Sequence, residues 1–173
     1  IDPPDQMSMS THLTELPDIP PLIHQAELNP HCNEETLHQQ CDASRHFDFG
    51  GFCTNPPRIA SARERLGPSN KTKLIAVIAF PFGTTPRHIK KIEAEWAAEQ
   101  GAEELELAPD FFALNQGQVN LFAEEIASIC ELGLPVRIIL DVTKLSPDTL
   151  KVAIDAAIDA GVEIVDLAMD SMS

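Results

Sequence analysis

The chain has 173 residues, 43% of them hydrophobic, which suits one domain with a sizeable core and is too apolar for a disordered chain. Its 27 acidic residues against 12 basic ones leave a formal net charge of −15, a surface that repels phosphate backbones and anionic lipid, so no nucleic-acid or membrane partner is expected. No apolar run approaches the roughly 18 residues of a spanning helix and no charged-then-apolar leader opens the sequence, so the expected compartment is cytoplasmic.

Residues 1–20 are rich in proline and polar side chains and open on Ile-Asp-Pro-Pro; they are expected to be a disordered or tag-derived segment ahead of one domain over 21–173. A first apolar run spans 22–28. A helix follows over 33–47, with Asn33 as its cap, Glu34 and Glu35 in its first turn, and Leu37 and Cys41 four residues apart on one face. That helix makes His31, Cys32, His38 and Cys41 a poor zinc set, and the four cysteines, with no C-x-x-C pair, read as reduced thiols. Further apolar runs lie at 51–56, 73–80, 104–110, 137–142 and 164–169.

Three helices between these runs carry explicit punctuation. Thr85 is expected to cap, Pro86 to open and Gly101 to close one whose buried face would carry Ile89, Ile92 and Trp96. Gly133 closes a second, carrying Phe122, Ile126, Ile129 and Cys130. Ser146 caps, Pro147 opens and Gly161 closes a third, carrying Leu150, Ile154, Ala157 and Ile158. Strands alternating with helices at this spacing predict a parallel sheet. No G-x-G-x-x-G follows any strand, which argues against the dinucleotide-binding doubly wound fold. His24, Glu106, Asp141 and Asp166 each interrupt an apolar run near a strand end, where barrel enzymes keep functional residues. The fold class read from the sequence is therefore α/β, a TIM (β/α) barrel truncated after strand six.

Leu-Ile-His-Gln-Ala-Glu-Leu-Asn-Pro (22–30), Gly-Phe-Cys-Thr-Asn-Pro (51–56) and Val-Ile-Ala-Phe-Pro-Phe-Gly (77–83) resemble the first three strands of the deoxyribose-phosphate aldolase family, the last being the most specific match. Gly-Ala-Glu-Glu-Leu-Glu-Leu (101–107), Phe-Ala-Leu-Asn-Gln-Gly (112–117), Arg-Ile-Ile-Leu-Asp (137–141) and Gly-Val-Glu-Ile-Val-Asp (161–166) continue in register, so the likeness covers about residues 22–171. The resemblance implies a class I aldolase, in which a lysine near the end of strand six forms an iminium that serves as an electron sink. At that position this chain has Asp166. The family's proton-transferring aspartate on strand four is matched by Glu106, and its acidic and threonine positions on strand one by His24 and Ala26. The family's second lysine and its phosphate loops belong to strands seven and eight, beyond Ser173.

Period-two alternation turns Glu106, Asp141 and Asp166 inward, and the family register adds His24. Like charges converging in one mouth favour a hard divalent cation such as Mg²⁺ or Mn²⁺, which makes these four a candidate metal set; solvated remnants are the alternative. No other cofactor is implied. Lys144, the one lysine following a strand end, is the candidate for a relocated nucleophile. Two functions follow: a non-catalytic binding or regulatory protein, or a carbon–carbon lyase using the acid cluster on a small phosphorylated sugar or aldehyde. Unpaired edges on strands one and six further predict self-association or a protein partner there.

Overall fold

The computed structural model describes residues 17–68 and 71–168. Six strands form one parallel sheet in sequential order: β1 (His24–Glu27), β2 (Gly51–Thr54), β3 (Lys73–Ile78), β4 (Glu104–Leu107), β5 (Val136–Asp141) and β6 (Ile164–Ala168). Sequential order separates this winding from the doubly wound alternative, whose order reverses at a switch point. The helices are α1 (Glu34–His46), α2 (Ile59–Leu66), α3 (Arg87–Glu99), α4 (Phe111–Asn115), α5 (Val119–Cys130) and α6 (Pro147–Asp159). Helices α2 and α4 were not anticipated, and Met169, placed in strand six by the sequence, lies outside the described residues, as does most of the expected N-terminal segment. No described helix is long and apolar enough to cross a membrane.

Alternation divides the sheet into two faces. Phe52, Leu74, Ala76, Ile78, Leu105, Leu107, Ile138 and Leu140 pack with the helices in the main core. On the other face Cys53, Ile75 and Val77 form a smaller apolar cluster with Leu28, Phe80 and Ile139. Helices on one side only, and a mixed apolar and charged face on the other, are the wall of a (β/α) barrel and its interior.

Several caps stand where the sequence places them: Asn33 accepts from Thr36 N–H at 2.8 Å, and Ser146 Oγ from Thr149 N–H at 3.1 Å. Helix α3 departs from expectation. Pro86 occupies the N-cap position, and no side chain caps this helix. Its buried residues are Lys90, Ala94 and Ala97, while Ile89, Ile92 and Trp96 are 42, 58 and 41% exposed. The helix lies on the sheet through alanines and a lysine stem, a stripe that hydrophobicity alone ranks below isoleucine and tryptophan. Helix α6 repeats the pattern, burying Ala153, Ala156 and Ala157 and leaving Ile158 exposed.

Lys90 can be buried because its ammonium is paired with a carboxylate and a carbonyl oxygen. Nζ donates to Glu125 Oε1 at 2.8 Å and to the Ala108 carbonyl at 3.2 Å, and Glu125 Oε1 also accepts from Asp110 N–H at 2.9 Å. The pair ties α3 and α5 to the segment that leaves β4. Removing one partner strands the other charge, so Lys90→Met is expected to cost about 3–5 kcal/mol. Lys91→Met, which breaks only the half-exposed 3.5 Å contact with Glu131, should stay within about 1 kcal/mol. Urea unfolding of the two variants checks this, and equal midpoints would refute it.

Candidate functional site

The strand register assembles the interior in layers. Ala26, Cys53, Ile75 and Glu104 are paired across four strands; Val77, Glu106, Arg137 and Ile164 form the next row, and Ile139 pairs with Asp166. His24 pairs with Gly51, and a Cβ at Gly51 would come within 3.0 Å of the imidazole and 2.8 Å of Ile75. Glycine at that position leaves the room the ring occupies.

Arg137 is the buried cation of this face. Its Nε and Nη2 donate to Glu104 Oε2 at 3.2 and 2.7 Å, and Nη1 stands 3.8 Å from Asp166 Oδ2, close enough for attraction but not for a hydrogen bond. Asp166 Oδ2 is buried without a hydrogen-bond partner. The Glu106 carboxyl lies within hydrogen-bonding reach of Asp166 and of the Cys53 thiol. Burial, then the hydrogen bond and charge of Asp166, push Glu106 up to about 7, against the pull of Arg137. Two carboxyl groups in contact need a shared proton, and Glu106 is the group arranged to hold it. Burial and Glu106 hold the Cys53 thiol well above its ordinary range, so it is an inert donor rather than a nucleophile. Burial and the Arg137 charge lower His24, favouring its neutral form.

Where the strands end, Phe80, Pro81, Phe82, Pro109, Phe111 and Leu145 enclose a cavity of about 150 Å³, with Asp141 and Lys144 on its lining. Its walls are fixed from behind. Ala79 adopts φ 56° and its N–H donates to Glu93 Oε2 at 2.9 Å. Gly83 has φ 66°, and a Cβ there would meet the Pro109 carbonyl oxygen at 2.2 Å, so the β3 loop rests directly on the β4 loop. Ile139 lines both this cavity and the interior cluster beside Asp166. The apolar cavity and the carboxyl pair are therefore neighbours.

Of the residues singled out in the sequence, Glu106, Asp166 and His24 face one interior. Asp141 stands apart from them at the strand end, where Thr143 Oγ1 and N–H donate to its Oδ1 at 2.6 and 2.9 Å; these bonds hold its carboxyl below the ordinary range. Among the described residues no three His, Cys, Asp or Glu side chains stand together as a metal site. Lys144 is exposed on the cavity lining. Sequence reasoning missed Arg137, Glu104 and Cys53, although two of them share the period-two parity of a residue already counted inward: Arg137 with Asp141, Glu104 with Glu106.

No protein-family model matches the chain. It is 37% identical over 145 residues to a deoxyribose-phosphate aldolase of Trichormus variabilis, covering 83% of this chain and 64% of that one. A deoxyribose-phosphate aldolase of Thermococcus gammatolerans is 31% identical over 153 residues, covering 86% and 68%. Among solved structures, the tetrameric deoxyribose phosphate aldolase from Aeropyrum pernix superposes with a TM-score of 0.78 at 28% identity, over 90% of this chain and 66% of that one. The chain thus spans about two thirds of the length of these relatives.

Glu106 gives the site a signature in solution. Its folded pKa of about 7 lies above the ordinary 4.5, so between those values the folded state holds a proton that the unfolded state has released. Stability contributed by this group is present below pH 4.5 and is lost as pH rises toward 7, by at most about 3 kcal/mol. Glu106→Gln does not titrate, so its melting temperature should decline less over this window than that of the parent. Parallel melting curves for the two proteins would rule the assignment out.

Proposed function

The chain belongs to the deoxyribose-phosphate aldolase family, and we propose that it uses the family's barrel mouth to bind a small molecule without forming a Schiff base. The observation carrying this reading is Asp166. By resemblance it stands where the family has its iminium-forming lysine, and it turns its carboxyl into the interior beside Glu106. A carboxylate has no amine to condense with an aldehyde. Lys90 is committed to Glu125 and the Ala108 carbonyl. Lys144 sits exposed on the cavity lining beside Asp141, in contact with solvent rather than enclosed. The reading is a non-catalytic binding or regulatory protein on an aldolase barrel, with the apolar cavity and the adjoining interior as its ligand site. Self-association belongs to the same reading, since the Aeropyrum pernix relative is described as tetrameric.

One observation favours a second reading. A carboxyl group titrating at about 7 is suited to proton transfer near neutrality, so Glu106 would serve a carbon–carbon lyase acting on a small aldehyde or phosphorylated sugar. The metal-assisted form of that reading recruits Asp141 alongside Glu106 and Asp166, and it draws less support because Asp141 is engaged by Thr143 at the strand end.

Borohydride trapping separates Schiff-base chemistry from the proposal. Incubation with deoxyribose 5-phosphate or acetaldehyde, reduction and intact-mass measurement should give no single stoichiometric adduct, whereas a family member carrying the lysine, treated in parallel, should give one. A stoichiometric adduct mapped to Lys144, or to any other single lysine, would defeat the reading.

A further inference from the structure

We infer that the cavity at the strand ends is a receptor for a free apolar α-amino acid, with the side chain inside and both main-chain charges on the rim. The inference rests on the reading of this cavity as the chain's ligand site, and it names the class of ligand. Size comes first. The cavity holds about 150 Å³, and apolar cavities of roughly that size take up a single benzene ring. Phe80, Phe82, Phe111, Ile139 and Leu145 supply the apolar walls. A phenyl group fits that space, whereas the polar body of a sugar would leave its hydroxyls without partners against these walls.

The rim selects what the ring is attached to. Three polar side chains border the apolar walls: Asp141, Lys144 and Asn115. Asp141 ends β5, and Lys144 follows in a turn closed by its N–H donating to the Asp141 carbonyl at 3.2 Å. Thr143 donates to Asp141 Oδ1 through Oγ1 and N–H at 2.6 and 2.9 Å. These bonds, and then the charge of Lys144, keep the Asp141 carboxyl ionised. Lys144 is near enough to act on that carboxyl, yet among the described residues it forms no ion pair, and the Asn115 side chain makes no hydrogen bond. One oriented anion, one uncommitted cation and one amide thus border the same opening. A ligand that meets all three brings an ammonium to Asp141 and a carboxylate to Lys144 and Asn115, joined to an apolar group that enters between the rings. An α-amino acid has that arrangement in a small molecule. A peptide terminus carries only one of the two charges, which makes the free amino acid the source.

Titration calorimetry on the parent chain tests this with L-phenylalanine, L-alanine, L-phenylalaninamide and N-acetyl-L-phenylalanine. L-Phenylalanine should bind most tightly. L-Alanine, which lacks the ring, should bind about tenfold or more weakly, and each blocked form, which lacks one charge, about fivefold more weakly. Lys144→Met should weaken phenylalanine binding about fivefold without weakening phenylalaninamide, which has no carboxylate to lose. Asp141→Asn should do the same to phenylalanine without weakening the N-acetyl form. Should either variant fail to unfold cooperatively, the four ligands on the parent chain decide alone. Equal affinity for phenylalanine and its two blocked forms would overturn the inference, as would the lack of any phenylalanine binding at millimolar concentration. Deoxyribose 5-phosphate bound without a borohydride-trapped adduct, where phenylalanine fails, would sink only this inference and leave the Schiff-base-free reading standing. A trapped adduct would defeat that reading instead, whatever phenylalanine does.

Discussion

Arg137 is the charge around which the interior is organised. A parallel sheet that buries one face against helices must fill its other face with whatever points inward, and here that set contains Glu104, Glu106 and Asp166. One guanidinium serves these carboxylates unequally. Its strong bonds go to Glu104, and Asp166 receives only an attraction across 3.8 Å. Burial and then the neighbouring Asp166 push Glu106 toward its protonated form, and Arg137 offsets this only in part. The proton on Glu106, the retained thiol proton of Cys53 and the neutral preference of His24 follow from burial combined with that uneven division.

The mouth has a second support on the outer side of the sheet. Lys90 and Glu125 anchor the β4 segment from Ala108 to Asp110. Gly83 lets the β3 loop settle onto that segment, and Glu93 holds Ala79 in a left-handed conformation that alanine rarely adopts. The phenyl rings of the cavity are thus carried on loops braced by buried polar contacts, so the shape of the cavity is set before any ligand arrives. This arrangement gives a binding reading physical content, since preorganised walls reduce the ordering cost of association.

Much of this architecture was legible in the sequence. Proline and glycine punctuation, the caps at Asn33 and Ser146, and strand alternation gave the element order, the parallel sheet and the inward turn of Glu106 and Asp166. What escaped has two physical causes. Helices α3 and α6 meet the sheet through alanines, and close approach of backbones is not visible to a pattern that ranks side chains by hydrophobicity. The partners of buried charges are also non-local: Lys90 finds Glu125 thirty-five residues on, and Arg137 finds Glu104 thirty-three residues back. Parity with Asp141 puts Arg137 on the inner face, but nothing near it in sequence says which acid it pairs with. For Asp141, parity fixes the face of the strand but not the depth along it. Its level at the strand end lets Thr143 reach it before the other acids can.

The same charge arrangement bears on what the mouth can hold. Arg137 is the cation of this interior, and its hydrogen bonds already go to Glu104. An anion entering that space would meet the carboxyl groups of Glu104, Glu106 and Asp166, and the cavity lining offers it Lys144. A ligand with an apolar body would meet Phe80, Phe82, Phe111 and Ile139. The residue at this depth, Asp166, carries a carboxyl group, so the interior presents carboxyl groups set against one guanidinium.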